Sequence, residues 1–349
     1  MIVKSIKLKN FRNHNYLSYE FKPGINILTG NNGVGKTNVV EAIYYLSIAR
    51  SFRTQEDSDL IKDGKDIAEI NSVVQEGEIN RKIRILFTSQ GRQVFLNGKP
   101  VKKLSELSKS FNVVLFEPKD VLLFRGAPKD RRNFLDINIS KKTPAYLEYI
   151  SKYEKVLKQR NDILKADNVD TLLLDTTTDL LIELSRPIIQ MREAYVKDIN
   201  DILIKITRAL TGVNEPVEIH YQPFVKVDDK YLESAKEAFK RALDGDLKRK
   251  ATSIGVHRED FSITLKDKDI GEFGSQGENR LVALALKLSP YFMIDDKDKR
   301  PVVVLDDVMS ELDQTHRMRL IKLLSKFEQV FITATRLEVK NAAQYTLKK

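Results

Sequence analysis

The string Gly30-Asn31-Asn32-Gly33-Val34-Gly35-Lys36-Thr37 has the composition and spacing of a phosphate-binding loop. Its glycines let backbone N–H groups turn inward around phosphate oxygens, and a following helix points its positive end at them. Lys36 is expected to reach the β- and γ-phosphates of a nucleotide and the Thr37 hydroxyl to bind Mg²⁺, with Asn38 next in the binding segment. A decorative glycine turn is the bland alternative. The loop follows a short apolar strand and opens a helix, which is the context the motif requires.

A second constellation lies far along the chain. Val302-Val303-Val304-Leu305-Asp306-Asp307 is an apolar run ending in two carboxylates. Alone it reads as a strand ending at a solvated acidic turn. Beside a phosphate loop, one carboxylate is wanted near Mg²⁺ and the other to orient or deprotonate an attacking water. Asp306 is assigned to the metal and Asp307 to the water. Ahead of them, Gly274-Ser275-Gln276-Gly277-Glu278-Asn279-Arg280 precedes an apolar helix over 281–288. Such a polar helix start can take an anion or serve as an ordinary cap.

The elements that must position these residues follow from hydropathy patterning. Ile2, Ile6 and Leu8 share one parity, so a strand opens the chain, with residues 16–21 as its partner. Residues 25–29 form a short buried strand and 39–49 a helix. Residues 67–116 read as meandering β structure, with Asn97-Gly98 suited to a type I′ hairpin turn and a buried strand at 113–116. After Pro118 the pattern turns helical. Residues 144–166 carry Leu147, Ile150, Tyr153, Leu157 and Leu164 on one side, and Lys152, Lys155, Lys158 and Arg160 on the other. Residues 182–210 step by three and four from Leu184 to Leu210, with Pro187 a kink or a break. A polar stretch at 167–170 makes the pair a helical hairpin. Strand signals return at 217–225, 263–265, 302–305 and 330–333.

Composition narrows the classes. Among 349 residues, 59 are Lys or Arg and 49 Asp or Glu, and the resulting +10 favours a polyanionic partner such as nucleic acid or an acidic membrane surface. Cysteine is absent, which excludes disulfides, cysteine-ligated zinc, iron–sulfur clusters and a cysteine nucleophile. Four His make a histidine metal site unexpected. No run of about 18 apolar residues offers a membrane span. The N-terminal alternation lacks the apolar core of a signal peptide, so a cytoplasmic location is expected.

Read together, the motifs resemble the ATP-binding-cassette (ABC) ATPases in the branch of SMC-type heads, and within it the RecF family of bacterial recombination-mediator ATPases. Ordered strings carry this along nearly the whole chain. They are Lys9-Asn10-Phe11-Arg12-Asn13, Arg50-Ser51-Phe52-Arg53-Thr54, Phe116-Glu117-Pro118-Lys119-Asp120 and Arg131-Arg132-Asn133-Phe134-Leu135-Asp136, then Gly255-Val256-His257-Arg258-Glu259-Asp260, Ser275-Gln276-Gly277 and Leu305-Asp306-Asp307-Val308-Met309-Ser310-Glu311-Leu312-Asp313. The resemblance implies an α/β fold of ABC-type ATPase head: a mixed sheet with a phosphate-loop α/β core, an antiparallel β part and an inserted short helical-hairpin lobe. Residues 1–118 and 250–349 would form the ATPase lobe and 119–249 the mainly helical lobe.

It further implies slow, DNA-stimulated hydrolysis of ATP to ADP and phosphate, with Mg²⁺ as cofactor. Two copies would dimerise face to face in an ATP-dependent way, Ser275, Gln276 and Gly277 of each acting on the other's nucleotide and Ser310-Glu311-Leu312-Asp313 contacting the opposite subunit. Arg12 would sit near the nucleotide. Binding to double-stranded DNA or single-strand/double-strand junctions is implied, with RecR as partner and RecO and RecA in the same pathway. The chain departs from the wider ABC pattern: Glu278 stands where Gln is usual, Asp307 where transporters have Glu, and Thr335 where they have a switch histidine. The competing readings are an ABC transporter ATPase subunit, an SMC-like structural protein and a small-molecule P-loop kinase. The short hairpin, the basic charge and the motif strings weigh against them.

Overall fold

The computed structural model describes residues 1–348. The chain opens with β1 (Ile2–Phe11), which turns at Arg12-Asn13 into the antiparallel β2 (His14–Glu20), with Phe11 opposite His14. Next, β3 (Gly24–Thr29) leads through the phosphate loop into α1 (Lys36–Ile48). The meander is β4 (Ala68–Glu76), β5 (Ile79–Thr88), β6 (Gly91–Leu96) and β7 (Lys99–Pro100), and it completes a six-stranded antiparallel sheet ordered β2-β1-β4-β5-β6-β7. Asn97 and Gly98, at φ 50° and 80°, close the β6–β7 hairpin as the Asn-Gly pair requires. A short helix, α2 (Ser105–Ser110), precedes β8 (Val113–Phe116).

Then come α3 (Pro128–Lys142), α4 (Pro144–Lys165) and α5 (Thr171–Thr211). The pairs Arg160–Thr178 and Arg192–Tyr146 show α4 and α5 running antiparallel, the expected hairpin. Its first buried face differs from the expected one. Tyr146, Tyr153, Arg160 and Leu164 turn inward on α4, while Leu147 is 42% exposed. Arg160, expected among solvated lysines, is buried because Asp246, Thr252 and Thr178 take its guanidinium hydrogens. α5 also starts well before residue 182. Thr176, Thr177 and Thr178 sit inside it, each hydroxyl donating to a carbonyl one turn back. Pro187 does not end the helix; lacking an N–H, it forgoes the bond to the carbonyl of Glu183. β9 (Val217–Gln222), α6 (Tyr231–Arg249), β10 (Asp260–Leu265), β11 (Lys268–Asp269) and α7 (Ile270–Phe273) follow.

The last stretch holds α8 (Gln276–Phe292), β12 (Val302–Leu305), α9 (Gln314–Leu324), β13 (Gln329–Ala334) and β14 (Ala343–Thr346). β12, β13 and β14 join β3 and β8 in an all-parallel sheet ordered β14-β3-β13-β12-β8. Every residue of β8, β12 and β13 is buried, as expected of parallel strands covered on both faces. One core joins this sheet to the antiparallel one, with Val39, Ile43 and Leu46 of α1 packed among Ile6, Ile70, Ile85, Val304 and Phe331. Because β13 lies between β3 and β12, its C-terminal end falls between the phosphate loop and the two aspartates.

The chain divides into two compact units, residues 1–121, 205–214 and 280–349, and residues 122–204 and 215–279. The second unit takes in 250–279, which the sequence assigned to the ATPase lobe. The reason is that β10 pairs with β9 and β11 in a three-stranded antiparallel sheet of its own.

Candidate functional site

The phosphate loop is braced by the β1–β2 turn. Gly35 caps α1 at φ 100°, and a Cβ there would collide with the His14 ring and the Asn13 side chain. Asn13 Nδ2 donates to Gly33 O at 3.1 Å, and His14 Nε2 donates to Gly35 O at 3.2 Å. Burial pushes the His14 pKa down, which favours the neutral ring in this role. Lys36 Nζ donates to the carbonyls of Gly30 (2.8 Å) and Asn31 (2.9 Å), so the ammonium is held at the loop.

The carboxylates meet this loop from β12. Thr37 Oγ1 donates to Asp306 Oδ1 at 3.1 Å, and Thr333 Oγ1 donates to the same oxygen at 2.7 Å. Asp306 is buried, and burial raises its pKa above the usual carboxylate value, with the two hydroxyls opposing the shift without cancelling it. A cavity of about 470 Å³ is lined by Gly35, Lys36, Thr37, Arg53, Asp307 and Thr333 among others. A second, of about 390 Å³, is lined by Arg12, Asp59 and Lys62 and shares Asn13, Asn38 and Arg53 with the first. Among the described residues, no three His, Cys, Asp or Glu side chains converge as a metal cage. A hydroxyl and one carboxylate are hard oxygen donors. They fit Mg²⁺, which keeps several waters and takes its other ligands from substrate phosphates.

Behind the loop, the fully buried Glu41 of α1 gathers the neighbouring cations. Arg12 donates to both its oxygens, at 2.9 and 2.6 Å, and Arg53 to one at 3.3 Å, while Ser51 Oγ donates at 2.5 Å. Arg53 also donates to Asn38 Oδ1 at 2.8 Å.

In the second unit, Ser275, Gln276 and Gly277 are exposed at the start of α8. Ser275 N and Oγ both donate to Glu278 Oε2, at 2.9 and 2.7 Å, and Glu278 N donates back to Ser275 Oγ at 3.2 Å. This is a reciprocal capping box. The serine hydrogen bonds lower the Glu278 pKa and keep it ionised.

Residues 2–348 match the family model described as RecF/RecN/SMC N terminal domain. The DNA replication and repair protein RecF of Streptococcus pneumoniae (strain CGSP14) is 36% identical over 342 residues, covering 97% of this chain and 93% of that protein. The protein of the same name from Clostridioides difficile (strain 630) is 35% identical over 340 residues, 96% of this chain and 91% of that one. The chain belongs to the RecF family. A solved structure of the recombination mediator protein RecF with ATP, in the RecFOR pathway, superposes with a TM-score of 0.87 at 32% identity, covering 98% of this chain and 95% of that one. The Smc head domain of Pyrococcus furiosus shares the fold alone, with a TM-score of 0.58 at 19% identity over 96% of this chain and 89% of that one. The fold is that of an ABC-type ATPase head.

In this RecF-family chain, Lys36, Thr37, Asp306 and Asp307 come together as their motifs suggest. Arg12 lines the second cavity rather than the first and is tied to Glu41. Sequence reading gave no role at the nucleotide to Asn13, His14, Glu41, Arg53 or Thr333. Asn13 and Arg53 stood inside the quoted strings, which was the available signal. Thr335 is exposed, and Thr333, two residues earlier, is the one that reaches the Asp306 carboxylate and the Asp307 N–H. Ser310 lies at 3.0–3.1 Å from Asp307 O and Oδ1, while Asp313 caps α9 through the N–H of His316. His257 is fully engaged: Nε2 donates to Thr252 O, so Nδ1 accepts from Tyr153 O–H.

Proposed function

We propose that this chain is an ATPase of DNA replication and recombinational repair, whose ATP-bound form is a face-to-face homodimer on double-stranded DNA or single-strand/double-strand junctions. The observation that carries the reading is the hydrogen bond from Thr37 to Asp306 across 269 residues of sequence, beside the cavity that holds Lys36 and Asp307. In ATP hydrolysis the oxygen of water bonds to the γ-phosphorus, the bond to the β–γ bridging oxygen breaks, and the water loses a proton. The Asp307 carboxylate orients that water and accepts the proton. The Lys36 ammonium offsets charge on the β- and γ-phosphate oxygens. Thr37 and Asp306 would hold Mg²⁺, which would neutralise phosphate charge when bound. Ser275, with the backbone of Gln276 and Gly277, is offered to the nucleotide of the second copy, and Arg12 and Arg53 to the near end of the chain's own nucleotide. RecR and RecO are the partners this reading takes from the RecFOR pathway, with loading of RecA as the step served. A cytoplasmic location belongs to the same reading; among the described residues no helix is long and apolar enough to cross a membrane.

Sedimentation with and without ATP–Mg²⁺ and duplex DNA tests this. The parent should move from monomer to dimer with ATP. Lys36→Met should lose ATP binding and the dimer together. Asp307→Asn should keep ATP, hydrolyse it about 100-fold more slowly and accumulate as dimer. A Lys36→Met protein that binds ATP like the parent sinks the reading.

A further inference from the structure

Asp307 is one of the few non-glycine residues in the left-handed region, at φ 50°. Aspartate tolerates this conformation better than most residues with a Cβ, yet it stays uncommon and is held by local hydrogen bonds. Two side chains hold it: Ser310 Oγ meets its O and Oδ1, and Thr333 meets its N–H. Asp307 N donates to Thr333 Oγ1 at 2.9 Å, and that hydroxyl spends its only proton on Asp306 Oδ1 at 2.7 Å. Thr333 is 1% exposed, so both bonds are shielded from bulk solvent. The sheet explains the placement. Leu305 of β12 is in register with Ile332 of β13, and Thr333 with Leu28 of β3, so Thr333 stands one step beyond the strand pairing, beside Asp306. Being β-branched, it holds a narrow χ1 range in a strand and aims its hydroxyl consistently.

Resting on the ATPase reading above, we propose that Thr333 is a positioning residue for hydrolysis: one hydroxyl fixes the Asp306 carboxylate and holds Asp307 in its left-handed turn, so that the pair is presented to the nucleotide as a unit. Thr37 also donates to Asp306 Oδ1, and its hydroxyl is the one wanted by Mg²⁺. When Thr37 turns to the metal, Thr333 remains as the donor that keeps Asp306 in place. Thr333 lines the cavity, but its one proton is committed to Asp306, so its loss acts on turnover and leaves ATP binding, which rests on the phosphate loop, largely intact.

The test compares Thr333→Val, Thr333→Ser and Asp307→Asn in the full chain. ATP affinity is measured by titration, hydrolysis by phosphate release at saturating ATP–Mg²⁺ with duplex DNA, and folding by thermal melting. Valine has the shape of threonine without the hydroxyl. It should cut hydrolysis about 100-fold, the scale of a misplacement of about 1 Å, with ATP affinity within about 3-fold of the parent. Serine restores the hydroxyl and should return hydrolysis to within about 5-fold. Parent-like turnover in Thr333→Val overturns the proposal. So does equal loss of binding and turnover in Thr333→Val, or a serine variant as slow as the valine one. If Asp307→Asn itself hydrolyses like the parent, the ATPase assignment of the aspartates fails first and takes this proposal with it; if only Asp307→Asn is slow, the proposal alone falls.

Discussion

At the scale of single residues, the site depends on groups whose role is to hold other groups. Glu41 anchors Arg12 and Arg53, Asn13 and His14 brace the loop, and in the second unit His257 pins the stretch after α6. Burial pushes the His257 pKa down to about 4, so the folded chain keeps it neutral, with Tyr153 donating to one nitrogen and Thr252 accepting from the other. In the unfolded chain the ring takes a proton near 6.5. Between these values the unfolded state binds more protons, so this contribution to stability is whole above about 6.5 and is lost as pH falls towards 4. Melting temperatures from pH 7 to 4.5 should fall more steeply for the parent than for His257→Gln; parallel curves would mean the ring is not held neutral. Motif residues such as Lys36 and Asp306 were legible because their chemistry dictates both type and spacing. Bracing residues were not, because a buried arginine such as Arg160 or a glutamate such as Glu41 looks solvated until the partners that take its charge are known.

At the scale of elements, legibility follows periodicity. The alternation of β1, the Asn-Gly turn and the apolar runs of β8, β12 and β13 announce themselves because a half-buried or doubly buried strand has few other patterns open to it. The early part of α5 did not, since a run of threonines has low helix propensity; here their hydroxyls find acceptors one turn back along the helix. Nor did the company kept by β10, because antiparallel pairing with β9 depends on a partner that patterning alone does not name. The start of α8 shows how one element serves two ends. Its Ser275–Glu278 box satisfies the first turn, and the same serine is exposed, which is what the proposed contact with a second copy requires. Replacing the serine costs the cap, worth about 1 kcal/mol. Ser275→Arg should therefore melt only slightly lower and bind ATP as before, yet fail to dimerise because bulk and charge intrude between the subunits. ATP-induced dimers of Ser275→Arg in sedimentation would remove the signature from the interface.

At the scale of the whole molecule, the net +10 charge must be set against how many cations are already committed. Arg131 is paired bidentately with Asp260 at 2.7 Å, Arg132 donates to Glu259 O, and Arg53 faces Glu41 and Asn38. Arg50, Lys152, Lys155, Lys158 and the Lys248-Arg249-Lys250 run are exposed and remain the better candidates for phosphates. None forms a base-reading helix or an aromatic stacking platform, so contact should go mainly to the backbone of duplex DNA, with little sequence preference and a steep salt dependence. Removing one true phosphate contact, for instance by Lys155→Ala, should lower the magnitude of the log K versus log salt slope by about 1. If the surface is completed by dimerisation, ATP strengthens DNA binding, and by linkage DNA stabilises the ATP-bound dimer by the same factor. Duplex affinity over a salt series, with ATP–Mg²⁺ and without, measures both quantities. Equal affinity in the two nucleotide states, in a chain that sediments as a dimer with ATP, would separate DNA binding from the nucleotide cycle. The aspartates and phosphate loop would then drive a dimer that DNA does not sense.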